Sequence, residues 1–294
     1  MIMWKQYKHK IVRDLAWTLS SPNLLKGDDV LAEGILLEEY NDLKSWLAGL
    51  DKDPYSLVEF LSSKNTLRLG HYFEQLVFFW LHHSRRYVSI AENIPIRNKR
   101  GQTLGEIDVI VKDTLKNNYE QWELSVKFYL CINNDDVIQF IGPNGVDLLD
   151  NKLKKLREKQ LIITQKLPGR TVLEQLKIPR LEAKIYIKGV FYYHPKQVYP
   201  KSNITTPNHL KGWWIYKAEA EGFLSETALY TILPKTEWLG GPSKSLDLMN
   251  KRALLKNLDE KYSNSSRSIY IATFNSSRNI LSTGFITPND WPSF

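Results

Sequence analysis

Residues 105–130 read GEIDVIVKDTLKNNYEQWELSVKFYL, and their alternation decides the fold class. Ile107, Val109 and Val111 fall on one side of an extended chain, and Glu106 and Asp108 on the other. After the turn signal Asn117-Asn118 the same period returns. Trp122, Leu124, Val126 and Phe128 share one face, while Glu123, Ser125 and Lys127 share the opposite one. Successive side chains of a strand point to opposite sides, so a period of two predicts two strands, each with an apolar and a polar face. The β-rich stretch Tyr87–Ile96, followed by the turn signal Asn98-Lys99-Arg100-Gly101, extends them to a three-stranded meander.

Outward from the meander the period changes. Over Leu67–Trp80 the residues Phe73, Leu76, Val77 and Trp80 recur at three and four, the stripe of an amphipathic helix, and Glu74 lies off that stripe. Earlier helices are expected over 5–20, 39–49 and 54–63. After the meander, Gly142-Pro143-Asn144-Gly145 leads into an expected helix over 146–165. Its stripe of Leu149, Leu153, Leu156 and Ile163 is interrupted by Gln160. Residues 183–193 read as a strand. Farther on, 229–233 and 268–274 look like strands and 246–261 like a helix, with an aromatic cluster at Trp213-Trp214. The expectation is an α/β chain with a core order of helix, three strands, helix, strand. An N-terminal helical region would cover 1–65, the core 66–195, and a C-terminal elaboration 196–294.

Composition narrows the function classes. The chain has 294 residues, 43% of them hydrophobic and 12% aromatic, which suits a folded protein and not a disordered one. Basic residues number 40 and acidic ones 32, a net charge of +8 that suits contact with phosphate without requiring it. Cys131 is the lone cysteine, so an internal disulfide framework and thiolate-rich metal sites are excluded. The six histidines form no HExxH arrangement, and no nucleophile elbow, phosphate-binding P-loop or dinucleotide fingerprint occurs. The opening MIMWKQYKHK has no apolar leader run, and no apolar stretch reaches membrane-spanning length. These features give the expectation of a cytoplasmic protein with no membrane partner.

The polar strand faces carry the candidate chemistry. A solvated sheet face explains alternating polar residues by itself. Here, however, two carboxylates, Asp108 and Glu123, fall on consecutive strands, with Lys127 following on the face of Glu123. Carboxylates brought together repel unless a cation lies between them. Mg²⁺ takes oxygen ligands of this kind, and a nearby lysine can orient a water and stabilise a phosphate. Lys152, Lys155 and Lys159 recur at helical spacing. They form either a phosphate-binding ridge or a solubilising face.

The arrangement Gly70-x-x-x-Glu74-x-Leu76, Gly105-Glu106-Ile107-Asp108, then Glu123 and Lys127 on the next strand and Gln160 on the following helix resembles the core of the PD-(D/E)XK nuclease superfamily. A second resemblance is to a bacterial family, the domain of unknown function numbered 1853. It rests on 12–17 (VRDLAW), 122–130 (WELSVKFYL), Gly142-Pro143-Asn144, Lys159-Gln160-Leu161, Gly212-Trp213-Trp214 and Trp291-Pro292. The nuclease resemblance implies a restriction-endonuclease-like core and phosphodiester hydrolysis in DNA or RNA with Mg²⁺ or Mn²⁺. It implies metal binding by Asp108, Glu123 and Glu74, a catalytic Lys127, and Gln160 beside the site. Ser125 stands two before Lys127 where that superfamily usually has an acid. Glu123 lies about 7 Å further back along the strand. Two other readings stay open: a nucleic-acid-binding protein that has lost cleavage, and a protein-interaction scaffold using the C-terminal aromatics.

Overall fold

A computed structural model describes residues 4–32, 40–64, 66–134, 137–243 and 245–292. Among them are eight α-helices and nine strands, so the chain is mixed α/β. It divides into two compact units. The first comprises 1–126 and 150–188, and the second 127–149 and 189–294. The region expected over 1–65 falls in the first unit and 196–294 in the second, while 66–195 is shared between them.

In the first unit the N-terminal helices are α1 (Lys10–Ser20), α2 (Tyr40–Lys52), α3 (Tyr55–Ser62) and α4 (Leu69–Leu81). Residue 39, where the second helix was expected to start, lies outside the described residues. In α4 the stripe Phe73, Leu76, Val77 and Trp80 is buried, as its spacing dictates. Trp80 stacks on Trp122 with centroids 6.3 Å apart, and Trp122 stacks on Tyr186 at the same distance. A buried polar tie fixes α4 further: Tyr72 donates to the Asp14 carboxylate of α1 at 2.9 Å, and Lys10 grips both oxygens of that carboxylate. Burial nonetheless pushes the Asp14 carboxyl up to about 6.

The meander is present as β1 (Tyr87–Arg97), β2 (Thr103–Asp113) and β3 (Asn118–Asn134). Both pairings are antiparallel. Tyr87 lies opposite Asp113 in the first, and the second runs from Asp113–Asn118 to Val109–Trp122. Arg86 closes one end with a two-pronged, almost fully buried bond to Asp113 at 3.0 and 2.8 Å. The first unit also holds α5 (Leu149–Lys155, from Asp150), α6 (Leu167–Gln175) and the part of β5 (Leu181–Tyr193) up to Lys188.

The single helix expected over 146–165 is corrected. After α5 comes one π turn over Leu156–Gln160, then a 3₁₀ turn at Ile163–Gln165. The Leu161 amide bonds to the Leu156 carbonyl five residues back, at 2.8 Å. Leu156 and Leu161 are both buried although five apart. A regular helix would turn one of them away, so the extra residue in the π turn keeps both inside. The helix α6, led by Pro168 in its first turn, was not foreseen.

In the second unit β3 continues and pairs antiparallel with β4 (Val137–Ile141). The end of β5 pairs in parallel with β6 (Leu210–Tyr216), and β6 in parallel with β9 (Ile280–Thr287). β8 (Ile269–Phe274) lies antiparallel between β9 and β7 (Leu229–Ile232). Two helices complete the unit, α7 (Ala220–Phe223) and α8 (Lys251–Asn264). α8 buries Leu254 and Leu258 against Ile215, Ile271 and Ile286. It starts at 251 and not 246 because the Asn250 side chain caps it, accepting the Ala253 amide at 2.9 Å. Trp214 is fully buried and donates to the Cys131 carbonyl at 2.9 Å, so it belongs to the core and not to a base-stacking surface.

Gly189 sits where only hydrogen fits. A methyl group there would lie 1.8 Å from the Lys127 carbonyl oxygen. Gly49, inside α2, has nothing within 4 Å of the same position. Gly189→Ala should therefore cost about 3 kcal/mol or more in urea denaturation, whereas Gly49→Ala should gain about 0.5–1 kcal/mol from helix propensity. Equal effects at the two positions would contradict the packing described.

Candidate functional site

The site grows from the point where the β2–β3 pairing stops. Beyond Val109–Trp122 the Asp108 carboxylate accepts the Leu124 backbone amide at 2.7 Å. Ile107 and Val109 are buried on the apolar side, so alternation places Asp108 on the other side of β2. Glu123 is buried, with 1% of its surface exposed. The polar face of β3 is therefore interior here and not a solvated surface, because Gln121 and Ser125 beside Glu123 are buried as well.

Two amides bracket Glu123. Gln121 Nε2 donates to one carboxylate oxygen at 2.8 Å, and Gln160 Nε2 donates to the other at 2.6 Å. Gln121 Nε2 also reaches the Gln160 carbonyl at 3.1 Å. The π turn explains how Gln160 arrives there: it presents the residue that interrupts the leucine stripe toward Glu123 and leaves Leu161 in the core. Single π turns inside helices recur at functional sites.

The electrostatics follow from burial and proximity. Burial is the main cause that pushes the Asp108 carboxyl up from 3.8 to about 7, and the neighbouring Glu74 charge adds to it. Burial likewise pushes Glu123 from 4.5 to about 8, with the Asp108 charge as the next cause. Glu74 is raised by burial too, against a 3.2 Å contact from His71 Nδ1 that lowers it. The Lys152 charge acts in the opposite direction on all three acids. Glu74, Asp108, Glu123, Gln160 and Lys152 thus share one electrostatic neighbourhood.

The remaining residues stand differently. Lys127 opens the second unit, and its ammonium pairs with Asp147 at 2.6 Å. Lys155 and Lys159 are exposed, and the π turn breaks the regular ridge expected with Lys152. Among the described residues no group of three or more His, Cys, Asp or Glu side chains is arranged to hold a metal ion. Glu74, Asp108 and Glu123 are therefore not a ready-made three-carboxylate cage, as the sequence had suggested. Gln121 was missed in the sequence, although it lies two before Glu123 on the same strand face. The place of Lys152 among the acids was missed as well, because it depends on how α5 packs.

No helix among the described residues is long and apolar enough to cross a membrane. Searches of curated proteins and of solved structures returned no match. A family model does match, over residues 13–283, nearly the full length that holds the carboxylates, their amide bracket and both units. The chain belongs to the family described as Domain of unknown function (DUF1853).

Proposed function

We propose that the chain hydrolyses phosphodiester bonds in nucleic acid with the help of a divalent cation, Mg²⁺ or Mn²⁺. The observation that carries this reading is the Asp108–Glu123 pair. A half-buried Asp108 raised to about 7 and a buried Glu123 raised to about 8 hold negative charge poorly by themselves. A cation between them would relieve both. Mg²⁺ commonly uses one or two carboxylates and fills its other positions with water and substrate phosphate. A pair of acids without a third close ligand fits that habit. Glu74 then acts from further out, through water.

Such a cation supplies an acidified water and a polarised phosphoryl group. The chain's own groups do the rest. Gln121 and Gln160 hold both oxygens of Glu123, so the carboxylate keeps one orientation. Leu124 N–H holds one side of Asp108 and leaves the other free to bind. Lys152, whose charge reaches all three acids, offsets charge developing on the phosphate. Lys155 and Lys159, exposed on the same segment, meet the backbone of the strand being cut. The reading carries a cytoplasmic location, where the thiol of Cys131 stays reduced. A second reading, binding without cleavage, is favoured by Ser125, which is buried where an acid would complete the nuclease pattern.

Incubation of the chain with mixed DNA and RNA should give cleavage with Mg²⁺ or Mn²⁺ and none with chelator. Binding that persists with no cleavage in either metal selects the second reading. Lys152→Ala should lower turnover about 10²–10³-fold, as for one lost electrostatic donor. Lys127→Ala should cost far less, because the Lys127 charge is not among the main ones acting on the three acids. The reverse order would return the catalytic part to Lys127. Lys155→Ala with Lys159→Ala should reduce the salt dependence of nucleic-acid binding by up to about two units of slope.

The carboxyls also make a stability prediction. Their folded pKa values lie above the unfolded ones, so the folded state retains protons that the unfolded state releases. Their contribution is fully present below about pH 4 and is lost as pH rises through about 7 to 8. Metal-free protein should melt lower at pH 8 than at pH 5.5, and Mg²⁺ should recover part of the loss at pH 8. Asp108→Asn should raise Tm by about 2–4 °C at pH 8, equivalent to about 1 kcal/mol. A Tm that rises over this range and ignores both Mg²⁺ and Asp108→Asn would contradict the paired-acid account.

A further inference from the structure

Gln121 has a partner besides Glu123. Its carbonyl oxygen is 3.3 Å from Thr164 Oγ1, and Thr164 lines a cavity of about 430 Å³ within the first unit. That volume lies in the range of small-molecule sites, roughly 300–1,000 Å³. Leu161, Leu173 and Ile178 give it an apolar wall, with Ile178 buried in the core. Arg170 and Arg180, both exposed, line the same cavity.

Those two arginines differ from Arg86 and Arg157 of the same unit. Arg86 is matched by Asp113 and Arg157 by Asp29. Among the described residues neither Arg170 nor Arg180 has an ion pair or a side-chain hydrogen bond. Glu174 is the one acid in the lining, so its formal charge is two positive minus one negative, or +1. An apolar wall beside two unmatched arginines suits a ligand with an apolar organic body and a compact anion.

We infer that this cavity binds a phosphate monoester carried on an organic body. Guanidinium forks match phosphate oxygens two at a time. A monoester carries close to two negative charges at neutral pH, which two arginines balance and which a carboxylate would not supply. The ligand has two sources with the same chemistry: a free nucleoside monophosphate, or the phosphorylated end of a nucleic-acid strand. The site stands apart from the carboxylates and does not depend on cleavage. It is connected to them, because Thr164 contacts the glutamine that holds Glu123.

Calorimetric titration of the full chain tests the inference with five probes: adenosine monophosphate, adenosine, inorganic phosphate, and a thymidine dinucleotide with and without a terminal phosphate. Adenosine monophosphate should bind more tightly than adenosine or phosphate alone. Arg170→Ala and Arg180→Ala should each weaken it about tenfold, the usual loss for a charged hydrogen-bonding partner. Glu174→Gln should tighten it, an opposite change that a merely unfolded variant could not produce. A terminal phosphate that lifts the dinucleotide to the level of the mononucleotide assigns the site to strand ends. Binding of the mononucleotide alone assigns it to free nucleotides. Adenosine or phosphate binding as tightly as adenosine monophosphate, arginine variants that bind unchanged, or no binding by any probe would each overturn the inference.

Discussion

Two neighbouring carboxyl groups on the strands β2 and β3, Glu123 buried and Asp108 half-buried, set the terms for the first unit. Burial alone disfavours each charge, and each charge disfavours its neighbours. A fold keeps such a pair by orienting it with surrounding groups and by relieving its charge, through protonation or a nearby positive group. The surroundings here are specific. One backbone amide holds Asp108, two side-chain amides hold Glu123, and Lys152 supplies positive charge. The π turn, an irregularity in an otherwise simple helix, puts Gln160 in that bracket. The cost of the pair explains why the irregular features gather around it.

The strands were legible because their period is short and local. Ile107, Val109 and Val111 alternate with Glu106 and Asp108, and this arithmetic holds whatever the chain packs against. The stripe of α4 was legible for the same reason, and with it the placing of Glu74 away from the buried face. The segment after the meander was less legible. Leu149, Leu153 and Leu156 announce a helix, but the change of pitch at Leu156–Leu161 answers to tertiary packing. β6 and β9 went unread because their burial does not alternate: each starts partly exposed and has consecutive buried residues farther on, as at Trp214 and Ile215.

At the site, sequence spacing identified the acids but not their state. It gave Asp108 and Glu123 a common side of the sheet. It gave no sign that the face of β3 carrying Gln121, Glu123 and Ser125 is buried, because alternation looks the same whether the polar side meets solvent or protein. Burial converts a row of surface acids into groups with raised pKa values, and it gives Gln121 and Gln160 their work. Lys127 was singled out by the strand face it shares with Glu123 and by the nuclease resemblance. Its ion pair with Asp147 depends on a loop more than a dozen residues away, which no local pattern reports.

Site-resolved carbon NMR titration of the Asp108 and Glu123 carboxyls tests the central claim most directly, with and without Mg²⁺. The account predicts metal-free midpoints well above the ordinary carboxylate range for both groups. It also predicts that both midpoints fall when Mg²⁺ is added. Two carboxyls titrating independently near 4 would contradict it, as would raised midpoints that Mg²⁺ leaves unchanged.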